Sequence, residues 1–214
     1  MLGIVRIIAG TFRSRSLQAP TGLATRPTSD RLRETLFNVL TPRIEDAVFL
    51  DLYAGSGAVA LEALSRGAAR VELIEKAPPA LQILRANFAK LGIHHGFRIH
   101  EGSVATLLRR MAQRAAKLPE SPQAAAPVLF DLVFLDPPYD AEAEYAATLG
   151  LLGGALSALL APHALVIAEH RRKQQLDPQY GLLHRTRLLE QGDAALSFFS
   201  ISEAGSLPET DSHL

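Results

Sequence analysis

The stretch DLYAGSGAVALEAL, residues 51–64, decides how the chain is read. The apolar run AVFL at 47–50 ends in Asp51, a glycine loop follows, and Ala58 opens a segment of helical composition. Strand, glycine loop and helix in that order bring backbone close to a ligand at the carboxyl end of a strand, facing a helix N-terminus. Gly55-x-Gly57-x-x-Ala60 meets the loose dinucleotide fingerprint, and Glu75 follows at about the expected distance. Asp51 argues for a different ligand, because its carboxylate would repel a pyrophosphate and attract an ammonium or sulfonium group. S-adenosylmethionine carries both cations. Glu75 closes the next apolar run and is placed to accept hydrogen bonds from ribose hydroxyls, a role it could equally play for NAD.

Downstream, the runs RVELIE (70–75), FRIHE (97–101), LFDLVFLD (129–136) and ALVIAE (164–169) alternate with helical segments at about 58–66, 78–91, 104–116 and before Pro162. Such alternation predicts an α/β fold built on a parallel sheet with right-handed crossovers. LLHRTRLLEQ (182–191) and ALSFFSIS (195–202) face each other across GDA and predict an antiparallel hairpin at the sheet edge. Residues 146–168 are uncharged and long enough to suggest a membrane span. Gly153-Gly154 weakens that stretch, and Pro162-His163 reads as a turn dividing a helix from a short buried strand. Two buried elements, and no membrane partner, are therefore expected.

Upstream, IVRIIAGTFRSRSLQAP (4–20) alternates around a glycine and predicts a hairpin with arginines on its exposed side. RPTSDRLRETLFNVL (26–40) opens a helix, with Thr28 or Ser29 as N-cap and Leu32, Leu36, Phe37 and Leu40 at helical spacing. The chain divides into a hairpin-and-helix extension at 1–41, a main domain at 42–201 and a disordered polar tail at 202–214. The segment 117–127 reads as a Pro/Ala-rich loop.

With 214 residues, 48% of them hydrophobic, the chain suits one main domain with a small appendage. It contains no cysteine, which excludes a disulfide scaffold and a Cys-based zinc site and fits a reducing cytoplasm, the expected location. The seven histidines show no metal-ligand spacing, and no metal is expected. Net charge is zero, yet residues 1–33 carry Arg6, Arg13, Arg15, Arg26, Arg31 and Arg33 against Asp30 alone. Arg6 interrupts the apolar start, so no signal peptide is read.

The second chemical signal is Asp136-Pro137-Pro138-Tyr139, where the fourth strand should open beside the first. An exocyclic amine on a nucleobase is a poor nucleophile because its lone pair is delocalised into the ring. Two acceptors gripping its N–H bonds favour a pyramidal nitrogen. Asp136 supplies one acceptor and the Pro137 carbonyl can supply the second, held by the stiff Pro-Pro pair. Tyr139 offers a face for a base turned out of its helix.

DLYAGSGAVALEALSRGA, VELIEK and DPPY resemble the amino-group class of S-adenosylmethionine-dependent methyltransferases. More narrowly, residues 6–40, from RIIAGTFRSRSLQAP to LFNVL, resemble the RsmD family, bacterial enzymes that methylate the exocyclic N2 of a guanine in 16S ribosomal RNA. The resemblance runs from about residue 4 to 201. It implies a class I methyltransferase, Rossmann-like seven-stranded, mostly parallel sheet whose last strands are reversed, plus the N-terminal hairpin that helps hold RNA. It implies that Asp51, Tyr53, Ala54, Gly55, Ser56 and Gly57 line the methionine end of the cofactor, with Glu75 and Lys76 at the ribose. Asp136, Pro137, Pro138 and Tyr139 would hold the reacting base, and Arg6, Arg13, Arg15, Arg26 and Arg31 the RNA. Ser103 and Val104 follow the third strand, where the family often offers Asp or Asn to the adenine amine; with Ser103 there, a backbone contact is as well supported as a side-chain one. The substrate implied is 16S RNA in an assembled or assembling small subunit, met by a monomer.

An adenine-N6 methyltransferase acting on DNA or RNA would use the same Asp-Pro-Pro-Tyr device, so the motif alone does not choose the base. The short arginine hairpin, with no room for a separate target-recognition region, favours an RNA site read by shape and phosphate contacts. An NAD-dependent oxidoreductase is disfavoured by Asp51, and a non-catalytic RNA-binding module by the two motifs together.

Overall fold

The computed structural model describes residues 3–19, 29–116, 128–138 and 141–201. Strands β1 (Gly3–Arg6) and β2 (Ser16–Ala19) form an antiparallel hairpin, with Val5 opposite Leu17. Helix α1 (Asp30–Leu40) follows, and Ser29 caps it by accepting from the Leu32 N–H at 3.2 Å. Thr28, the other cap candidate, and the tail 202–214 lie outside the described residues, as does the loop 117–127.

The main sheet is built from β3 (Val48–Asp51), β4 (Arg70–Glu75), β5 (Phe97–Glu101), β6 (Phe130–Leu135), β7 (Leu160–Arg171), β8 (Gln179–Tyr180), β9 (Leu183–Gln191) and β10 (Ala194–Ile201). Their spatial order is β5-β4-β3-β6-β7-β10-β9-β8. β3 to β7 run parallel, β10 runs against β7, and β9 runs against β10. The sheet thus has eight strands and not seven, the extra one being the two-residue β8, and β10 is inserted between β7 and β9. Helices α2 (Ala58–Ser65), α3 (Pro78–Lys90), α4 (Val104–Ala115) and α5 (Glu142–Gly153) make the crossovers, and α2 to α4 each end one residue before the sequence reading placed them.

Two cores cover the two faces of the sheet. Strand alternation sends Phe49 of β3 and Leu73 of β4 into one, with α1, α2, α3 and the hairpin; Leu50 and Ile74 enter the other, with α4 and α5. Burial on both faces is why the central strands read as continuous apolar runs.

Pro162 and His163 do not form the expected turn between helix and strand. β7 runs through them, pairing Leu160 with Phe130 and Leu165 with Leu132, so extra residues accumulate on β7 at an irregularity. A proline there removes no ladder hydrogen bond. Gly153, read as a weak point, has a positive role: a Cβ on it would stand 1.7 Å from the Tyr180 carbonyl oxygen, and its own carbonyl accepts from Leu182 N–H at 2.7 Å. Among the described residues no helix is long and apolar enough to cross a membrane.

Candidate active site

The parallel strands β3 and β6 are hydrogen-bonded neighbours, with Asp51 in register with Phe134, so Asp51 and Asp136 emerge side by side at their carboxyl ends. Between them and the ends of β4 and β5 lies a cavity of about 400 Å³. That volume falls in the range of roughly 300–1,000 Å³ usual for small-molecule sites. Its wall includes Asp51, Tyr53, Ala54, Gly55 and Ser56 from the first loop, Glu75 and Lys76 from the second, and Ser103 and Val104 from the third. Asp136, Pro137 and Pro138 complete it. The structure therefore brings together every described candidate of the cofactor and catalytic sets except Gly57; Tyr139 lies outside the described residues.

Gly57 serves packing instead. Its φ is +78°, and a Cβ on it would come within 2.4 Å of Leu84 Cδ1 on α3. Gly55, at φ +53°, has nothing nearer than the Tyr53 carbonyl oxygen at 4.0 Å, so its bare face belongs to the cavity. Both positions favour glycine, for different reasons.

Two side chains hold this loop from outside. Glu75 Oε2 accepts from the Gly55 N–H at 2.8 Å, while its Oε1 accepts from the N–H groups of Lys76 and Ala77, each at 2.8 Å. Oε2 keeps one acceptor site for a ligand hydroxyl. On the other side, the buried Asn87 of α3 donates to the Ser56 carbonyl at 2.9 Å and to the Gln18 carbonyl at 2.8 Å, and accepts from the Gln18 N–H at 2.8 Å. One amide thus ties the glycine loop to the N-terminal hairpin.

Electrostatically the cavity is a concentration of carboxylates. Burial pushes the Asp51 carboxyl up to about 7; the Glu75 carboxylate adds to the rise, and backbone N–H groups of Ala60 and Tyr53 partly oppose it. Asp136, partly exposed and lining the cavity, is held well above the usual carboxylate range, first by burial and then by Glu169 and Asp51. A cationic ligand seated between Asp51 and Asp136 would return both to the charged form.

Sequence reasoning missed Glu144. It lines the cavity from the first turn of α5, and its Oε2 accepts from the Tyr53 hydroxyl at 2.9 Å, with Thr148 Oγ1 3.0 Å from the same hydroxyl. Burial raises the Tyr53 pKa above its ordinary value, so the hydroxyl stays protonated and pins the loop to α5. A glutamate near a helix start gives no local hint of this contact. Ser103 occupies the N-cap position of α4 without a side-chain capping hydrogen bond, and its hydroxyl donates to Thr106 Oγ1 at 2.9 Å instead.

The N-terminal hairpin sits on α2. Glu62, fully buried, accepts from the N–H groups of Ile8 at 2.7 Å and Ala9 at 3.0 Å, and Ser65 Oγ accepts from the Phe12 N–H at 2.9 Å. Arg13, Arg15 and Arg31 are exposed; Arg6 is also exposed but pairs with Asp30 at 3.1 Å. Arg26 lies outside the described residues. Arg33 is wholly buried, donating to the Arg6 carbonyl at 2.6 Å and to Asp30 at 2.9 Å, so part of the N-terminal charge asymmetry is internal structure.

A mostly parallel sheet with a reversed strand inserted near one edge, acidic residues ending its first two strands and Asp-Pro-Pro ending the fourth defines the class I methyltransferase architecture. Among solved structures, the chain superposes with a TM-score of 0.75 on the "putative methyltransferase yhhF" from Escherichia coli, at 33% identity, covering 93% of this chain and 98% of that one. It belongs to the RsmD family, matching the family described as Conserved hypothetical protein 95 over residues 5–200. It is 36% identical over 196 residues to the "Ribosomal RNA small subunit methyltransferase D" of Escherichia coli strain K12, covering 88% of this chain and 87% of the relative. Identity to the "Putative rRNA methyltransferase YlbH" of Bacillus subtilis strain 168 is 32% over 183 residues, or 86% of this chain and 91% of the relative.

Proposed function

We propose that the protein transfers a methyl group from S-adenosylmethionine to the exocyclic N2 amine of a specific guanine in 16S ribosomal RNA, within an assembled or assembling small subunit. The observation that carries this reading is the emergence of Asp51 and Asp136 from adjacent strands into one cavity beside the bare face of Gly55. Identity to relatives named for small-subunit RNA methylation, over nearly their whole length, supports the choice of substrate.

The residues present fit the cofactor. Asp51 and Glu75 would hold its cationic and ribose parts, Gly55 would admit it against backbone, and Ser103 and Val104 stand where the adenine would lie. When bound it supplies an electrophilic methyl group on a sulfonium. The chain's own residues do the rest: Asp136 and the Pro137 carbonyl accept the two N–H bonds of the target amine and aim its lone pair into the cavity. The ionised form of Asp136 accepts with both oxygens, whereas a protonated one turns one oxygen into a donor, and the positive charge beside Asp51 favours the ionised form. Tyr139 stacks on the flipped base, and the hairpin arginines engage phosphates. The cysteine-free sequence suits the reducing cytoplasm in which a monomer would meet this RNA.

Single-turnover methylation of hypomethylated small subunits with labelled cofactor, followed by mass mapping of the 16S RNA, tests the reading. The label should appear on N2 of one guanine. Label on an adenine amine would overturn the choice of base, and no label on RNA would overturn the function.

A further inference from the structure

Helix α4 begins at the cavity, where Ser103, Val104 and Ala105 form part of the wall, and runs away from it. Val104, Leu107 and Leu108 are buried in the core beneath. The outward stripe is Thr106, Arg109, Arg110, Gln113 and Arg114, all exposed, and the helix contains no acidic residue. At about 1.5 Å rise per residue, Arg109 and Arg110 stand ~8 Å along the axis from the cavity wall and Arg114 ~15 Å. None of these three arginines makes an ion pair among the described residues.

The strands beside α4 extend this charge. Phe97 and Ile99 of β5 pack toward the opposite core, so alternation turns Arg98 to the α4 side, where it is exposed. The carboxylate paired with it across the sheet, Glu72, is buried and bonded to Arg70 and His100, and Arg98 adds a weaker attraction to it from the exposed side. A chain of zero net charge thus gathers four exposed arginines on one face, with Arg110 and Arg114 spaced to repel each other. The hairpin with Arg13 and Arg15 packs with α2 and α3, on the other side of the sheet. The cavity therefore lies between two basic flanks.

We propose that the outer face of α4, with Arg98 beside it, is a second RNA-binding surface, which holds the phosphate backbone of the substrate on the flank opposite the hairpin. This rests on the reading of the cavity as an RNA methyltransferase site. Phosphate is the partner that the pattern fits: among the described residues the outward stripe of α4 offers charge and donors and carries no aromatic side chain for a base. An RNA gripped on one flank alone could pivot about the hairpin; gripped on both, it presents its target nucleotide to the opening between them.

The test is a triple variant, Arg109→Gln, Arg110→Gln and Arg114→Gln, beside a matched triple Arg→Lys variant. Binding of hypomethylated small subunits is measured between 50 and 200 mM salt, with cofactor affinity measured on the same preparations. The Gln variant should bind RNA about ten-fold or more weakly, with a log-log salt slope lower by roughly 2 or more, at 0.7 to 0.9 per lost contact. The Lys variant should recover both, since a phosphate contact requires charge and not the guanidinium plane. Cofactor affinity should be unaltered, which separates a lost contact from a damaged fold. A Gln variant with the parent's affinity and slope overturns the proposal, as does a Lys variant as weak as the Gln one. If the parent binds subunits and transfers no methyl group to them, the functional reading fails instead, while the salt slopes still decide whether α4 holds RNA.

Discussion

Glu75 Oε2 accepts a hydrogen bond from the backbone N–H of Gly55 at 2.8 Å, so the carboxylate placed to receive a ribose also fixes the loop that receives the rest of the ligand. Glu75→Ala should weaken S-adenosylmethionine binding by about 1.5–3 kcal/mol, the range for a hydrogen bond to a charged group. Titration calorimetry measures it; unchanged affinity would remove Glu75 from the cofactor site.

The two loop glycines should respond differently. Gly57→Ala forces a methyl group within 2.4 Å of Leu84 Cδ1 at a φ of +78°, so it should lower the stability of the protein by roughly 1–3 kcal/mol, the usual range for overpacking. Gly55→Ala meets no protein atom closer than 4.0 Å and should cost only about 1–2 kcal/mol of left-handed strain. Its methyl group enters the cavity, so cofactor affinity should fall more for Gly55→Ala than for Gly57→Ala. Thermal melts with and without cofactor give both numbers, and the reverse order would exchange the two assignments.

Asp136→Asn keeps the shape of the side chain and removes the charged acceptor. Methyl transfer in a single turnover at saturating cofactor and RNA should slow by ~100-fold or more, comparable to removing one preorganised electrostatic partner. RNA binding should persist. A variant within threefold of the parent would reduce Asp136-Pro137-Pro138 to a strand ending.

The raised Asp51 pKa predicts a pH signature. A carboxyl that binds its proton more tightly folded than unfolded makes the ligand-free protein lose stability as pH rises from the unfolded value of about 3.9 to the folded value of about 7. Cofactor affinity should move the other way, rising through pH 7 as Asp51 ionises. Asp51→Asn should flatten both trends, which melts and calorimetry from pH 5 to 8 would show. A variant with the parent's pH profile would place the titration elsewhere.

Much of this site could be read from the sequence because its chemistry sits at strand ends. A buried parallel strand writes itself as an apolar run, and Asp51 and Asp136 stand out as carboxylates where such runs stop. What stayed hidden depends on long-range contacts. Arg33 reads as surface charge until Glu62 and the Arg6 carbonyl are seen beside it. Tyr53 meets Glu144 across 91 positions, and Gly57 owes its identity to Leu84 on another helix. Pro162 reads as a strand breaker because the irregularity that absorbs it is defined by pairing with β6.

The insertion of β10 between β7 and β9 carries a consequence for how the protein is made. β10 follows β7 and β9 in the chain, so until it docks β7 has an unpaired edge composed of buried-type residues such as Val166, Ile167 and Ala168. Open edges of that kind recruit other chains. The closing strand spans Ala194–Ile201, so a polypeptide that stopped before it would be left with β7 unpaired on that side. Removal of Ala194–Ile201 would then be felt as aggregation, without touching any residue that lines the methyl-transfer cavity.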